Sequence, residues 1–265
     1  MLDTNTIRLK VWGPLACFTR PELKVERVSY PFMTPSAARG VLDAILFKKR
    51  TVGDGDSARE VPAFRWHIRR ITAVEPPGSP PAAHSFISIR RNEIQGKVAP
   101  RTVMGWAREP ETFEPYLVDS AGREDVQGQN RTQRNTLALR DVAYIIEASI
   151  CLLESRDATE LVKYREMFER RVENGQCFHR PYLGCREFAC DFVPSDGSET
   201  LVARLDGALG LILYDIRFGD GGENLPGFFN AAVRGGVLHC DTAGRGPSGE
   251  EPVSVLGWPK EEAVA

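Results

Sequence analysis

The sequence lacks most of the marks of a metal- or nucleotide-driven enzyme. It has only four histidines, His67, His84, His179 and His239, and no two are close along the chain. No HExxH, no GxSxG and no carboxylate-rich metal cluster occurs, so the hydrolases that depend on them are disfavoured, metal-dependent nucleases included. No GxxxxGK[ST] is present to cradle a nucleotide phosphate. The six cysteines include no C-x-x-C pair, and Cys177, Cys185 and Cys190 have spacings of 8 and 5, which fit none of the usual zinc patterns. No apolar run approaches the roughly 18 to 20 residues of a membrane span. The N-terminal MLDTNTIRLK has no signal-peptide apolar region. The expectation is a cytoplasmic protein with reduced thiols, no cofactor, no metal and no membrane partner.

What is present is ordinary in bulk and uneven in detail. A chain of 265 residues that is 42% hydrophobic and 26% charged can bury a core as one large domain or two small ones. The net charge of −2 hides a division. Residues 189–265 hold five Lys/Arg against twelve Asp/Glu, and residues 1–188 hold 29 against 24. A basic N-terminal part beside an acidic C-terminal part suggests a polyanion partner for the first. Two solvated surfaces would give the same count.

Periodicity then orders the chain. Ile7, Leu9 and Val11 alternate with polar residues, which predicts a strand ended by Gly13-Pro14. Thr34-Pro35 opens a helix with Ala38, Val41, Leu42 and Ile45 on one face and Lys48, Lys49 and Arg50 at its dipole's negative end. TVGDGDSARE reads as a loop, AFRWHIRRITAV and SFISIRRNEI as strands, and residues 97–133 as a long loop. LALRDVAYIIEASICL is the next strand. Asp157 and Glu160 resemble a capping box for a helix with a stripe of Leu161, Tyr164, Phe168 and Val172, stopped by Asn174-Gly175. REFACDFVP alternates again. The predicted class is α+β: a ferredoxin-like βαββαβ domain over 1–192, then a small antiparallel β-sheet domain over 193–265.

A sheet of that kind with a basic face suits single-stranded RNA. Arg65, His67 and Arg69 share one predicted strand face, and Arg131, Arg134 and Arg140 cluster around RTQRNTLALR. Arg39, Lys48 and Lys49 add cations on and after the first helix. The segment QCFHRPYLGCREF, residues 176–188, admits three readings. It could hold a metal through Cys177, His179 and Cys185, carry a reactive thiol at Cys185, or be a loop shaped by Pro181 and Gly184. In the last case His179, Arg180 and Arg186 would meet phosphate or a proton-transfer step.

Four blocks taken in order carry a family resemblance: VWGPLACFTRPELKVERVSYPFMTPSAARGVLDAI, RRNE, RTQRNTLALRDVAY and GQCFHRPYLGCREF. Together they resemble the type I-C CRISPR-associated Cas-five family, subtype d, from about residue 11 to residue 188. The resemblance implies metal-independent cleavage of precursor CRISPR RNA at the base of the repeat hairpin, with a 2′,3′-cyclic phosphate product. It also implies that the protein stays on the crRNA 5′ handle among other subunits of the interference complex. A subunit that binds the handle and does not cut, or cuts slowly, is the alternative, and non-specific duplex DNA binding could accompany either. The family pattern implies a tyrosine late in the first helix and a Lys-His pair in the second. Leu46 and Lys163-Tyr164 stand at those positions. The resemblance therefore implies that Lys163 supplies the cation and that Tyr164 or His179 handles protons, although Tyr164 also sits on the helix's apolar stripe.

Overall fold

The structure is a computed structural model that describes residues 6–23, 25–53, 58–94, 98–113, 131–153, 157–218, 224–246 and 249–258. It divides into two compact units, residues 1–87 with 137–265, and residues 88–136.

The first strand, β1 (Thr6–Ala16), buries Ile7, Leu9 and Val11 as the alternation requires. It does not stop at Gly13-Pro14 but runs to Ala16. Gly13 is needed there for close packing: a Cβ would lie 3.0 Å from the Ala189 carbonyl oxygen and 3.0 Å from a Leu183 methyl. After the short β2 (Arg27–Val28), the Thr34 hydroxyl accepts from the Ala37 amide and caps α1 (Pro35–Ile45). Ala38, Val41, Leu42 and Ile45 form its buried face.

The basic run does not extend α1, whose last turn holds no basic residue. Lys49 and Arg50 open β3 (Lys49–Val52), which pairs with β4 (Arg59–Pro62) where a loop was expected. Residues 54–57 of that expected loop lie outside the described residues. The carbonyls at the end of α1 are met from elsewhere. Ala44 accepts from the Phe178 and His179 amides at 2.8 and 3.0 Å, and Ile45 accepts from Arg171 Nη1 at 2.6 Å. Helix ends need such partners for their last carbonyls, and here a distant loop supplies them.

The core strands follow: β5 (Phe64–Ala73), β6 (Ser85–Ile94) and the 22-residue β7 (Arg131–Leu152). The predicted long loop over 97–133 contains a helix, α2 (Pro100–Arg108), and its end belongs to β7. Alternation is a poor guide to a nine-residue helix with no buried residue. Residues 114–130 lie outside the described residues. Then come α3 (Ala158–Glu173), β8 (Asp191–Pro194), β9 (Gly207–Phe218), β10 (Asn224–Arg234) and β11 (Val237–His239).

Among the described residues, the strands other than the β3-β4 pair form one nine-stranded sheet whose main path runs β8-β1-β7-β5-β11-β10-β9, with β2 and β6 paired to β7 beside it. The registered pairs along that path are antiparallel. The protein is thus mixed α and β, mostly antiparallel sheet, and the last three strands continue the sheet from the β5 edge. The apolar face of β5 packs on α3. Phe64 lies 4.9 Å from Tyr164 and Trp66 lies 4.8 Å from Phe168, centroid to centroid. A bulge between Ile68 and Arg70 breaks the alternation of β5. Beyond it Arg70 and, from β1, Arg8 reach the buried Glu147 carboxylate at 2.6 and 3.3 Å, a ladder across three strands. Among the described residues no helix is long and apolar enough to cross a membrane.

Candidate functional site

A cavity of about 460 Å3 opens between α1, β5, β9 and the side chains of Thr242 and Trp258. An ion-pair cluster forms one wall. Arg39, on α1, gives Nε and Nη2 to the two oxygens of Asp215 at 2.7 Å each, and Nη1 to Asp43 Oδ2 at 2.9 Å. Burial works against the Arg39 charge, but Asp215 and then Asp43 outweigh it and raise its pKa. Burial also raises Asp43, against the pull of Arg39 and with the push of Asp215. On β5, His67 Nε2 stands 3.4 Å from Asp241 Oδ1 and 3.4 Å from the Thr242 hydroxyl. Burial lowers the His67 pKa, with Asp241 opposing. Asp241 is anchored by Arg69 Nη1 at 2.9 Å and by the amides of Ala243 and Gly244 at 2.8 and 2.9 Å. These contacts hold its carboxyl below the usual range even though burial pushes the other way. Arg217 sits 3.9 Å over the Trp258 ring, a cation–π pair at the cavity edge.

The segment 176–188 takes the third of its readings, a shaped loop. Its Phe178 and His179 amides hold the end of α1. The Cys17 amide bonds to the Leu183 carbonyl at 3.0 Å, and Gly184 adopts φ +83° directly against the Cys17 carbonyl. A Cβ at Gly184 would lie 2.1 Å from that oxygen. Cys185 is buried, 3.5 Å from the Thr19 hydroxyl, which in turn lies 3.5 Å from Cys17. Cys185 Sγ donates to the Cys17 carbonyl at 3.5 Å, and the contact between the two thiols lowers the Cys185 pKa against burial while that of Cys17 moves up. The same burial closes Cys185 to reagents, and Cys190 is a packed core residue. Among the described residues no group of three or more His, Cys, Asp or Glu is placed to hold a metal ion.

Of the three catalytic candidates, two are neighbours and one is apart. Lys163 is exposed on α3, its ammonium 5.8 Å from the Tyr164 ring centre. Tyr164 is buried, only 9% exposed, against Phe64. His179 is exposed, its ring 4.3 Å from Phe178, in the loop that docks beside Arg171. Eight residues of helix, roughly 12 Å, separate Lys163 from Arg171. Leu46 is fully buried.

The RNA-binding candidates divide by their partners. Arg65 and Arg186 are exposed, and Lys48 is half-buried. Arg39 is committed to Asp215 and Asp43, Lys49 to Glu60 at 3.0 Å, and His67 and Arg69 to Asp241. Arg140 donates to the Ser85 hydroxyl at 3.1 Å, and Arg180 pairs with Asp191. Arg134 is half-buried on β7, and the Arg131 side chain lies outside the described residues. Sequence reasoning missed Asp43, Asp215, Asp241 and the Arg217–Trp258 pair. Only Arg39–Asp43, four apart on a helix, left a local signal.

These features, a mostly antiparallel sheet carrying helices and a cavity walled by ion pairs, define a mixed α and β protein. The family model described as CRISPR-associated protein (Cas_Cas5) matches residues 6–241, and the chain belongs to that family. It is 39% identical over 241 residues to a protein of Mannheimia succiniciproducens named CRISPR pre-crRNA endoribonuclease Cas5d, covering 88% of this chain and 94% of the relative. It is 38% identical over 249 residues to a protein of the same name from Thermus thermophilus, covering 88% and 90%. A crystal structure of a CRISPR-associated protein shares the fold with a TM-score of 0.53 at 17% identity, covering 94% of this chain and 96% of the other.

Proposed function

We infer that this protein is an endoribonuclease that cuts precursor CRISPR RNA within the repeat. The observation that carries this is the near-full-length identity, 39% and 38%, to two relatives named for that activity. The chemistry proposed is attack by the 2′-hydroxyl on the adjacent phosphate at the base of the repeat hairpin. The 2′-oxygen loses its proton and bonds to phosphorus, the bond to the 5′-oxygen breaks, and a 2′,3′-cyclic phosphate and a 5′-hydroxyl remain. This route needs a base, an acid and a cation for the phosphorane charge, and no metal. In the proposal Lys163 is the cation, with Tyr164 or His179 moving protons. Arg65 and Arg186, both exposed, lead the contacts to phosphate. The protein then holds the 5′ handle beside other subunits of the interference complex.

The ferredoxin-like reading of the sheet belongs to the same proposal. It is supported by the strand order β8-β1-β7-β5, with α1 between β1 and β5 in the chain and α3 between β7 and β8. The proposal takes residues 1–192 as the RNA-processing part and 193–265 as the smaller β part, which supplies β9, β10 and β11.

The test is purified protein with repeat RNA in EDTA, read on a denaturing gel with end-group analysis. Cleavage to a cyclic phosphate is expected. Intact RNA that stays bound would favour the reading that the burial of Leu46 and Tyr164 supports, a subunit that holds the handle without cutting.

A further inference from the structure

The cavity beside α1 is not used by the processing residues on α3. Its volume, about 460 Å3, falls within the roughly 300–1,000 Å3 of small-molecule sites. Its walls are polarised. Phe47 lines it and is left 37% exposed, although Leu46 beside it is fully buried. An open aromatic ring on a cavity wall is a stacking surface for a base. Arg65 and Arg217 also line it, one exposed on β5 and one layered on Trp258.

The two carboxylates that line the cavity are not equivalent. Asp215 gives both oxygens to Arg39, and Oδ1 also accepts the Ile216 amide. Asp43 gives Oδ2 to Arg39 and keeps Oδ1 uncommitted among the described residues. The site therefore joins a spare acceptor at Asp43, the Phe47 ring and the exposed Arg65. A ribonucleotide with an amino group on its base carries the complementary groups: an amine, a ring and a phosphate. Uracil would set its carbonyl oxygen against the carboxylate.

We propose that the cavity takes one unstacked nucleobase of the bound RNA, one that carries an exocyclic amino group. The base stacks on Phe47, its amine meets Asp43, and a flanking phosphate meets Arg65. This rests on the RNA-processing reading above but concerns different residues from its chemistry.

Eight-nucleotide oligo(rC) and oligo(rU) are the probes, because the two bases differ at C4 by an amino group against a carbonyl. Fluorescence anisotropy at pH 7.5 and fixed salt is expected to show oligo(rC) bound about tenfold tighter, the size of one discriminating base contact. Asp43→Asn should remove the preference. Since that change also touches Arg39, Phe47→Ala is the second variant: it should weaken both oligomers several-fold with an unchanged melting temperature. Equal affinities for the two oligomers, or wild-type affinity in Phe47→Ala, would overturn the assignment. Repeat cleavage in EDTA is read separately. Wild-type protein that cuts but shows no preference removes this inference alone. Protein that prefers oligo(rC) but never cuts leaves the pocket in place and removes the processing reading.

Discussion

At the residue scale, Gly184 carries more of the structure than any cysteine around it. It has a backbone conformation that side chains rarely adopt, φ +83°, and a carbonyl where a Cβ would go. Gly175, at the end of α3, has φ +62° but open space around it. Gly175→Ala should therefore cost about 1 kcal/mol, the backbone penalty alone. Gly184→Ala should cost clearly more, about 3 kcal/mol or above, because β1 and the loop must separate. Urea denaturation of the two variants measures the order, and equal costs would contradict the packing argument. Two histidines set a second expectation. Burial lowers the pKa of both His67 and His84, the latter with its ring Nε2 donating to the Val74 carbonyl at 3.0 Å. The unfolded chain thus binds more protons than the folded one just below the ordinary histidine value of about 6.5. Stability should be full above that pH and fall as the solution is acidified toward the folded values. Denaturation midpoints at pH 7.5 and 5.5 test the direction.

At the element scale, α3 shows how far a helical stripe can be read. Tyr164, Phe168 and Val172 of the predicted stripe are its buried residues, while Leu161 is only half-buried. The cap is Asp157, whose carboxylate takes the Thr159 amide at 2.8 Å, while the Glu160 carboxylate turns to Arg50 at 3.4 Å. Because Tyr164 packs on Phe64 and Lys163 points outward, the two should respond differently to mutation. Lys163→Ala should reduce repeat cleavage by about 100-fold or more, the usual loss of a group that stabilises transition-state charge, with the melting temperature unchanged. Tyr164→Phe should retain the fold, and its cleavage rate decides whether the phenol moves a proton. Full cleavage by Lys163→Ala would remove that residue from the chemistry.

At the scale of the whole molecule, the charge division along the chain is partly spent inside the protein. Arg39 meets Asp215, His67 and Arg69 meet Asp241, and Arg180 meets Asp191: a basic residue from the first part and an acidic one from the second each time. What the sequence offers as a polyanion surface is in part an internal seam, and the cations left outward matter more for RNA. Binding of repeat RNA should weaken with salt as counterions are released. Arg65→Ala or Arg186→Ala should each lower the slope of log K against log salt by about 0.7 to 0.9 without changing stability. Arg69→Ala should instead destabilise the fold, since it strips a partner from the buried Asp241 carboxylate. Titrations from 50 to 300 mM salt beside melting curves separate the two kinds of arginine.

Much of the fold is legible in the sequence because its signals are local. Alternation marks β1 and β5, the stripe marks α3, and Thr34-Pro35 marks the start of α1. The shaping role of Gly184 was also readable, since it depends on residue type. The site was less so. His67 and Arg69 read as a free basic face, and only the fold brings Asp241 to them across some 170 residues. The end of α1 read as a basic terminus, and only the fold meets its carbonyls with Arg171 and the 178–179 amides. Local pattern fixes which residues turn inward, because burial follows the period of the backbone. Which charges stay free for RNA is decided by contacts between segments far apart in the chain, and for that the tertiary structure is required.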